Sequence, residues 1–150
     1  MSLLLALIVL TPLLSSVLIG LLYLYSITQK RLSNRWFTIP ALFAPCVSFV
    51  LGAASFMYVA KYDVALHFQP YLWLGVGGHN IYMGFLGDKL SLFMVLFITF
   101  VGWLIHLYAT SYMRDDAGYG KFFFYFNLFL SSMLLLVLAD GPLIMFIGWE

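Results

Sequence analysis

Four stretches of this sequence match the width of a lipid bilayer and carry no acidic or basic side chain. Leu3–Tyr25, Trp36–Ala60, Leu90–Met113 and Phe122–Leu138 contain no Asp, Glu, Lys or Arg. Each has about 17 to 25 residues, the length a helix needs to cross a hydrocarbon core of about 30 Å. In water their outward faces would have nothing to cover them. Of the 150 residues, 64% are hydrophobic and 9% are charged, against about 25% charged in a soluble domain. In lipid, backbone polar groups must be satisfied within the segment, which selects helices over open strands. The fold class is therefore all-α, a polytopic transmembrane helix bundle. Residues 1–150 read as the N-terminal part of one integral membrane domain, with spans at about 3–25, 36–60, 90–113 and 122–138 and the start of a fifth at 142–150.

The first span begins after Ser2 with no basic flank, and it is too long for the apolar core of a signal peptide, so a retained helix is expected. Pro12 lies inside it and frees a backbone carbonyl, which neighbouring helices must satisfy in lipid. Pro40 and Pro45 predict irregular first turns in the second span. Between the second and third spans, about 64–87, aromatics alternate with Gly and Asn and no long apolar run forms. Gly77-Gly78 there predicts a hairpin turn. The hairpin is expected at the membrane surface, with Phe68, Tyr71, Trp73 and Tyr82 in the interfacial belt. Lys and Arg cluster in loops 29–35 and 114–121, which predicts that those loops are cytoplasmic and that the hairpin lies outside. The near-zero charge balance, seven Lys/Arg against six Asp/Glu, offers no basic surface for nucleic acid. The single cysteine, Cys46, excludes an internal disulfide or a multi-cysteine metal site within this chain.

Asp140, Gly141 and Pro142 read as the start of the fifth helix, with proline at its first position. At 1.5 Å per residue that helix carries Glu150 about 12 Å inward, near the bilayer midplane. The expectation is a chain cut in mid-helix. Carboxylates at such depth are costly and rare, and they usually line ion or proton paths. Glu150 is therefore the first candidate site residue. The bland alternative is a helix that simply ends there, but MFIGW before it holds no strong stop signal.

His106 is the second candidate. It shares a line of three- and four-residue spacing with Ser91, Val95, Thr99, Gly102 and Thr110 on an otherwise apolar helix. A histidine there can pass protons, or it can simply hydrogen-bond between helices while the small residues allow close packing. Both readings stay open. His67 and His79 are expected to be ordinary loop positions, and the three histidines have no metal-ligand spacing. Asn127 and Ser131 are expected to serve as contacts between helices. Asp88, Lys89 and Asp140 are expected to cap helices or stay solvated. No nucleotide-binding or catalytic-triad motif is present.

The stretch GDKLSLFMVLFITFVGWLIHLYATSYM, together with the overlapping SYMRDDAGYGKFFFYFNLFLSSMLLLVLADGPLIMFIGWE, resembles the antiporter-like membrane subunit of proton-pumping NADH-quinone oxidoreductase (respiratory complex I), called L in bacteria and chain 5 in mitochondria. Tyr112-Met113-Arg114, Gly118-Tyr119, Phe122-Phe123, Asn127-Leu128-Phe129 and Gly148-Trp149-Glu150 fall in that family's order and spacing. Where the family usually has Asp-Asn-Leu, this chain has Asp140-Gly141-Pro142, which changes the cap and keeps the spacing to Glu150. The resemblance implies a proton-translocating subunit driven by NADH oxidation and quinone reduction elsewhere in the complex. In it, Glu150 would pair with a lysine on a later helix. It also implies that residues 1–150 alone are inactive. No cofactor is expected in this chain, and NADH, flavin, iron–sulfur clusters and quinone belong to partner subunits. The partners implied are the other membrane-arm subunits, the lipid bilayer and protons. The implied location is the bacterial plasma membrane or the mitochondrial inner membrane. Large subunits of multisubunit sodium/proton antiporters and membrane subunits of energy-converting hydrogenases share the Trp-Glu motif and stand as the alternative. A purely anchoring membrane subunit is the third reading. The Arg114–Phe123 loop favours the oxidoreductase.

Overall fold

Helix α1 (Leu3–Thr28) continues through Pro12, and the bundle repairs the damage this proline does. A proline has no N–H, so the carbonyl of Ile8, four residues back, loses its helical donor. Ser48 of α2 (Arg35–Tyr62) donates to that carbonyl at 2.9 Å, and its hydroxyl also lies 2.6 Å from that of Thr11. Ser131 of α4 (Tyr119–Leu138) donates to the next carbonyl, Val9, at 2.9 Å. Further along, Ser15 donates to Pro40 O at 2.8 Å and Ser16 to Phe124 O at 2.9 Å. Hydroxyls thus bind α1 to both α2 and α4, where apolar contact alone gains little in lipid.

The computed structural model describes residues 2–28, 32–76 and 79–150. Among them, four helices are long and apolar enough to cross a membrane: α1, α2, α3 (Lys89–Tyr112) and α4. They form an up-and-down bundle with α1 against α2 and α4, and α3 against α2 and α4. A short helix, α5 (Pro142–Trp149), packs on α4. The helices overrun the expected spans by a few residues at several ends. Irregular first turns in the second span are not found: α2 is helical from Arg35 through Pro40 and Pro45. Pro40 sits so near the helix start that the carbonyl it deprives is that of Trp36, in an exposed first turn.

Two buried clusters fill the bundle. One, at the hairpin end, joins Leu5, Ile8, Val59, Leu92, Val95 and Leu134. The other, at the opposite end, joins Ile19, Phe37, Ala41, Ala109, Tyr119 and Phe123. Large apolar side chains such as Leu14, Phe43, Val50, Phe93, Phe97 and Phe129 remain exposed around the outside. A surface so rich in unpaired apolar groups is suited to lipid.

Between α2 and α3, strands β1 (Leu66–Val76) and β2 (His79–Gly87) form the expected hairpin, antiparallel, with Leu66 opposite Gly87 and Val76 opposite His79. The register is irregular between Phe68 and Tyr71 and between Leu72 and Leu74. Gly77 and Gly78, expected at the turn, lie outside the described residues, as do Gln29, Lys30 and Arg31 of the first loop and the side chains of Tyr71, Trp73 and His79. At the opposite end of the bundle, Asn34 donates to Arg114 O at 2.7 Å, and the hydroxyls of Thr38 and Tyr119 are 2.6 Å apart.

Helix α3 begins in a capping box. Asp88 accepts the Ser91 N–H at 2.7 Å, and the Ser91 hydroxyl accepts the Asp88 N–H at 2.9 Å. Lys89 forms an ion pair with Asp63, which ends α2 in a left-handed conformation, φ 54°. Both partners are largely exposed, so the pair adds little stability. Capping at Asp88 agrees with the sequence reading. Lys89 is solvated as well as paired, and Asp140 is in addition tied to the hairpin.

Candidate functional site

Glu150 follows α5 directly, its N–H bonded to Phe146 O at 3.1 Å. Gly148, two residues before it, presses on α4. A Cβ built there would lie 2.7 Å from Leu136 N and 2.9 Å from Ser132 O, so the two backbones touch without an intervening side chain. The contact aims residues 149 and 150 along one flank of α4. An open groove of about 680 Å³ runs there, lined by Tyr125, Leu128, Phe129, Ser132, Trp149 and Glu150. Its walls are mainly apolar, and among the described residues Glu150 is the one charged group that lines it.

His106 is fully buried between α3 and α4. Its ring stacks on Phe126, centroids 4.1 Å apart and planes 18° apart, and tilts against Phe123 at 5.9 Å. Nδ1 is 2.7 Å from Gly102 O. A carbonyl can only accept, so Nδ1 carries the proton and Nε2 of the neutral ring is a lone-pair acceptor. No described group donates to Nε2. Asn127, also fully buried, spends its amide N–H on Phe123 O at 3.1 Å, and its Oδ1 likewise has no donor among the described residues. The α3–α4 packing therefore holds two buried acceptors that lack donors, an arrangement that costs about 1–3 kcal/mol for each such group.

The small-and-polar line of α3 is the buried one: Val95, Thr99, Gly102 and His106 all face inward. Thr99 returns its hydroxyl to Val95 O at 2.7 Å, and Ser91 is absorbed by the cap. Ser131 makes the expected contact between helices, whereas Asn127 bonds within its own helix. His67 is exposed. The structure does not bring His106 and Glu150 together. His106 meets Phe123 and Phe126, while Glu150 shares its groove with Tyr125, Leu128, Phe129 and Ser132, so α4 stands between them. The serines of α1 and α2 were not singled out in the sequence. Their signal is the spacing that sets Ser15 and Ser16 just beyond Pro12 and Ser48 just beyond Pro45.

Four membrane-length apolar helices with an apolar exterior define a multi-pass membrane protein, here with a buried histidine in the bundle and a carboxylate directly after a short helix. Residues 73–123 match the family described as NADH-ubiquinone oxidoreductase (complex I), chain 5 N-terminus. The NADH-quinone oxidoreductase subunit L of Escherichia coli K12 is 52% identical over 83 residues, covering 55% of this chain and 14% of that protein. The subunit of the same name in Mycobacterium tuberculosis is 38% identical over 123 residues, 80% of this chain and 19% of that protein. NADH-ubiquinone oxidoreductase chain 5 of Dictyostelium discoideum is 38% identical over 106 residues, 67% and 16% respectively. The chain belongs to this subunit L and chain 5 family. It matches a fifth or less of the length of these relatives.

Proposed function

We propose that this chain is the N-terminal part of a proton-translocating membrane subunit of NADH-quinone oxidoreductase. NADH oxidation and quinone reduction in partner subunits would drive proton movement through it, and the other membrane-arm subunits would be its neighbours. Redox groups and their cofactors would reside in those partners, and the location would be the plasma membrane or the mitochondrial inner membrane. The observation that carries the reading is Glu150, among the described residues the one charge lining a mainly apolar groove beside α4. A carboxylate in that setting is costly unless a cation or a proton meets it. A basic side chain outside residues 1–150 would supply the partner.

His106 is the second position in the reading. Its open Nε2 acceptor offers a proton a buried resting place between α3 and α4. Because α4 separates it from Glu150, the two would act at different points of a path rather than in direct contact. The names of the relatives favour redox-coupled translocation over sodium/proton exchange.

The test is Glu150→Gln in the intact complex, reconstituted in vesicles. The amide keeps the shape and removes the charge, so assembly should persist while the number of protons moved per NADH oxidised falls. An unchanged ratio in a fully assembled complex removes Glu150 from the path.

A further inference from the structure

The α4–α5 turn is sewn to the hairpin. The Asp140 N–H donates to Gly84 O at 3.1 Å, and Ala139 pairs with Phe85 in an antiparallel bridge. The Asp140 carboxylate accepts a 2.5 Å hydrogen bond from Gln69 Nε2. Both strands therefore grip the turn, β1 through Gln69 and β2 through Gly84 and Phe85. Gly84 makes the approach possible: a Cβ there would lie 2.8 Å from Gln69 Cγ and 3.1 Å from Asp140 Oδ2. The bond joins exposed groups 71 residues apart in the chain.

The grip matters because of the helix it anchors. Gly141 and Pro142 lead straight from Asp140 into α5, which has eight residues and leans on α4. Its direction is set by the hairpin lock at its start, by the buried Ile144 and by Gly148 against α4 near its end. A helix released at its start can pivot. With Gly148 as the pivot, a tilt of roughly 10° shifts Glu150, about 3 Å further on, by about 0.5 Å and turns its side chain by the same 10°. Changes on that scale reach the tolerance of groups that must meet in a defined geometry.

We propose that Asp140 is a positioning residue: through Gln69 and Gly84, the extramembrane hairpin fixes the direction of α5 and so sets where the Glu150 carboxylate sits. The inference rests on the proton-translocation reading of Glu150 and adds a part of the chain outside the bundle to that function.

The experiment compares Asp140→Ala, Asp140→Asn, Gln69→Ala and Glu150→Gln in the intact membrane complex in vesicles, reading NADH oxidation rate and protons moved per NADH. Asp140→Ala and Gln69→Ala should lower the proton ratio while NADH oxidation persists, and the double variant should be no worse than either single one. Asp140→Asn should restore the ratio, because its amide oxygen still accepts from Gln69. Parental pumping in Asp140→Ala, with Glu150→Gln impaired, overturns the lock and leaves the Glu150 reading standing. Loss in Asp140→Asn equal to that in Asp140→Ala also overturns it, since charge rather than the hydrogen bond would then be acting. Parental pumping in Glu150→Gln overturns the underlying reading and the lock's purpose with it. If Asp140→Ala fails to assemble, Gln69→Ala decides, because it removes the same bond from an exposed position.

Discussion

The Ser48 hydroxyl donates a 2.9 Å hydrogen bond to the Ile8 carbonyl, the carbonyl that Pro12 leaves without a helical donor. A defect in α1 is thereby converted into a bond to α2. In lipid no water stands ready to take the place of that hydroxyl.

Ser48→Ala leaves Ile8 O only the longer 3.4 Å bond from the Thr11 hydroxyl, and should therefore destabilise the protein by about 1 kcal/mol. Pro12→Ala restores an N–H to the helix and gives Ile8 its ordinary donor. In the double variant the cost of losing Ser48 should shrink markedly. Unfolding in graded denaturing detergent measures the coupling, and strictly additive effects would show that Ser48 and Pro12 act independently.

His106→Phe separates packing from proton handling. Phenylalanine can keep the stack on Phe126, and it removes a buried acceptor that has no donor. Gly102 O retains the backbone N–H of residue 106 within the helix. Stability should hold within about 1 kcal/mol, since replacing polar by apolar groups of similar shape is nearly neutral. Under the proposed function, protons moved per NADH should fall in the assembled complex. Unimpaired pumping returns His106 to a packing role.

Asp88 gives the fold a pH dependence outside the membrane. The Ser91 backbone N–H, and after it the Ser91 hydroxyl, hold the Asp88 carboxyl below its ordinary value of 3.8. The folded carboxyl binds its proton less tightly than the unfolded one. Its contribution is therefore present above the ordinary carboxylate range and disappears as pH falls through the lowered folded value. Asp88→Asn keeps the acceptor for the Ser91 N–H and cannot titrate. It should flatten the loss of thermal stability below about pH 4, whereas Asp88→Ala should cost about 1 kcal/mol in neutral buffer. Parallel melting curves across pH for the parent and Asp88→Asn would count against the cap as the source.

The spans were legible because length and absence of charge leave little choice in lipid. Pro142 at the head of α5 and the strands flanking Gly77-Gly78 were legible from local turn chemistry. Asp140 was not, because its partners Gln69 and Gly84 are distant in sequence and a lone acid beside a proline reads as a cap. The same limit applies to Asp63 and Lys89, whose pairing depends on how the hairpin returns the chain to the end of α2. Helical spacing placed His106 on the inward face of α3, but the open acceptors at His106 and Asn127 appear only when every neighbouring donor is accounted for. For the same reason the sequence could not tell that α4 divides His106 from Glu150.

The serine bonds to α1 also order events in time. Helix α1 leaves the ribosome before either of its partners. Ile8 O waits for a hydroxyl on α2, and Val9 O gains one from α4, 122 residues further along the chain. Until α2 joins it, Ile8 O has only the long 3.4 Å bond from Thr11 within α1, which favours partners that bring a hydroxyl and disfavours a premature, purely greasy association. Its set of hydrogen bonds is complete only when α4 arrives.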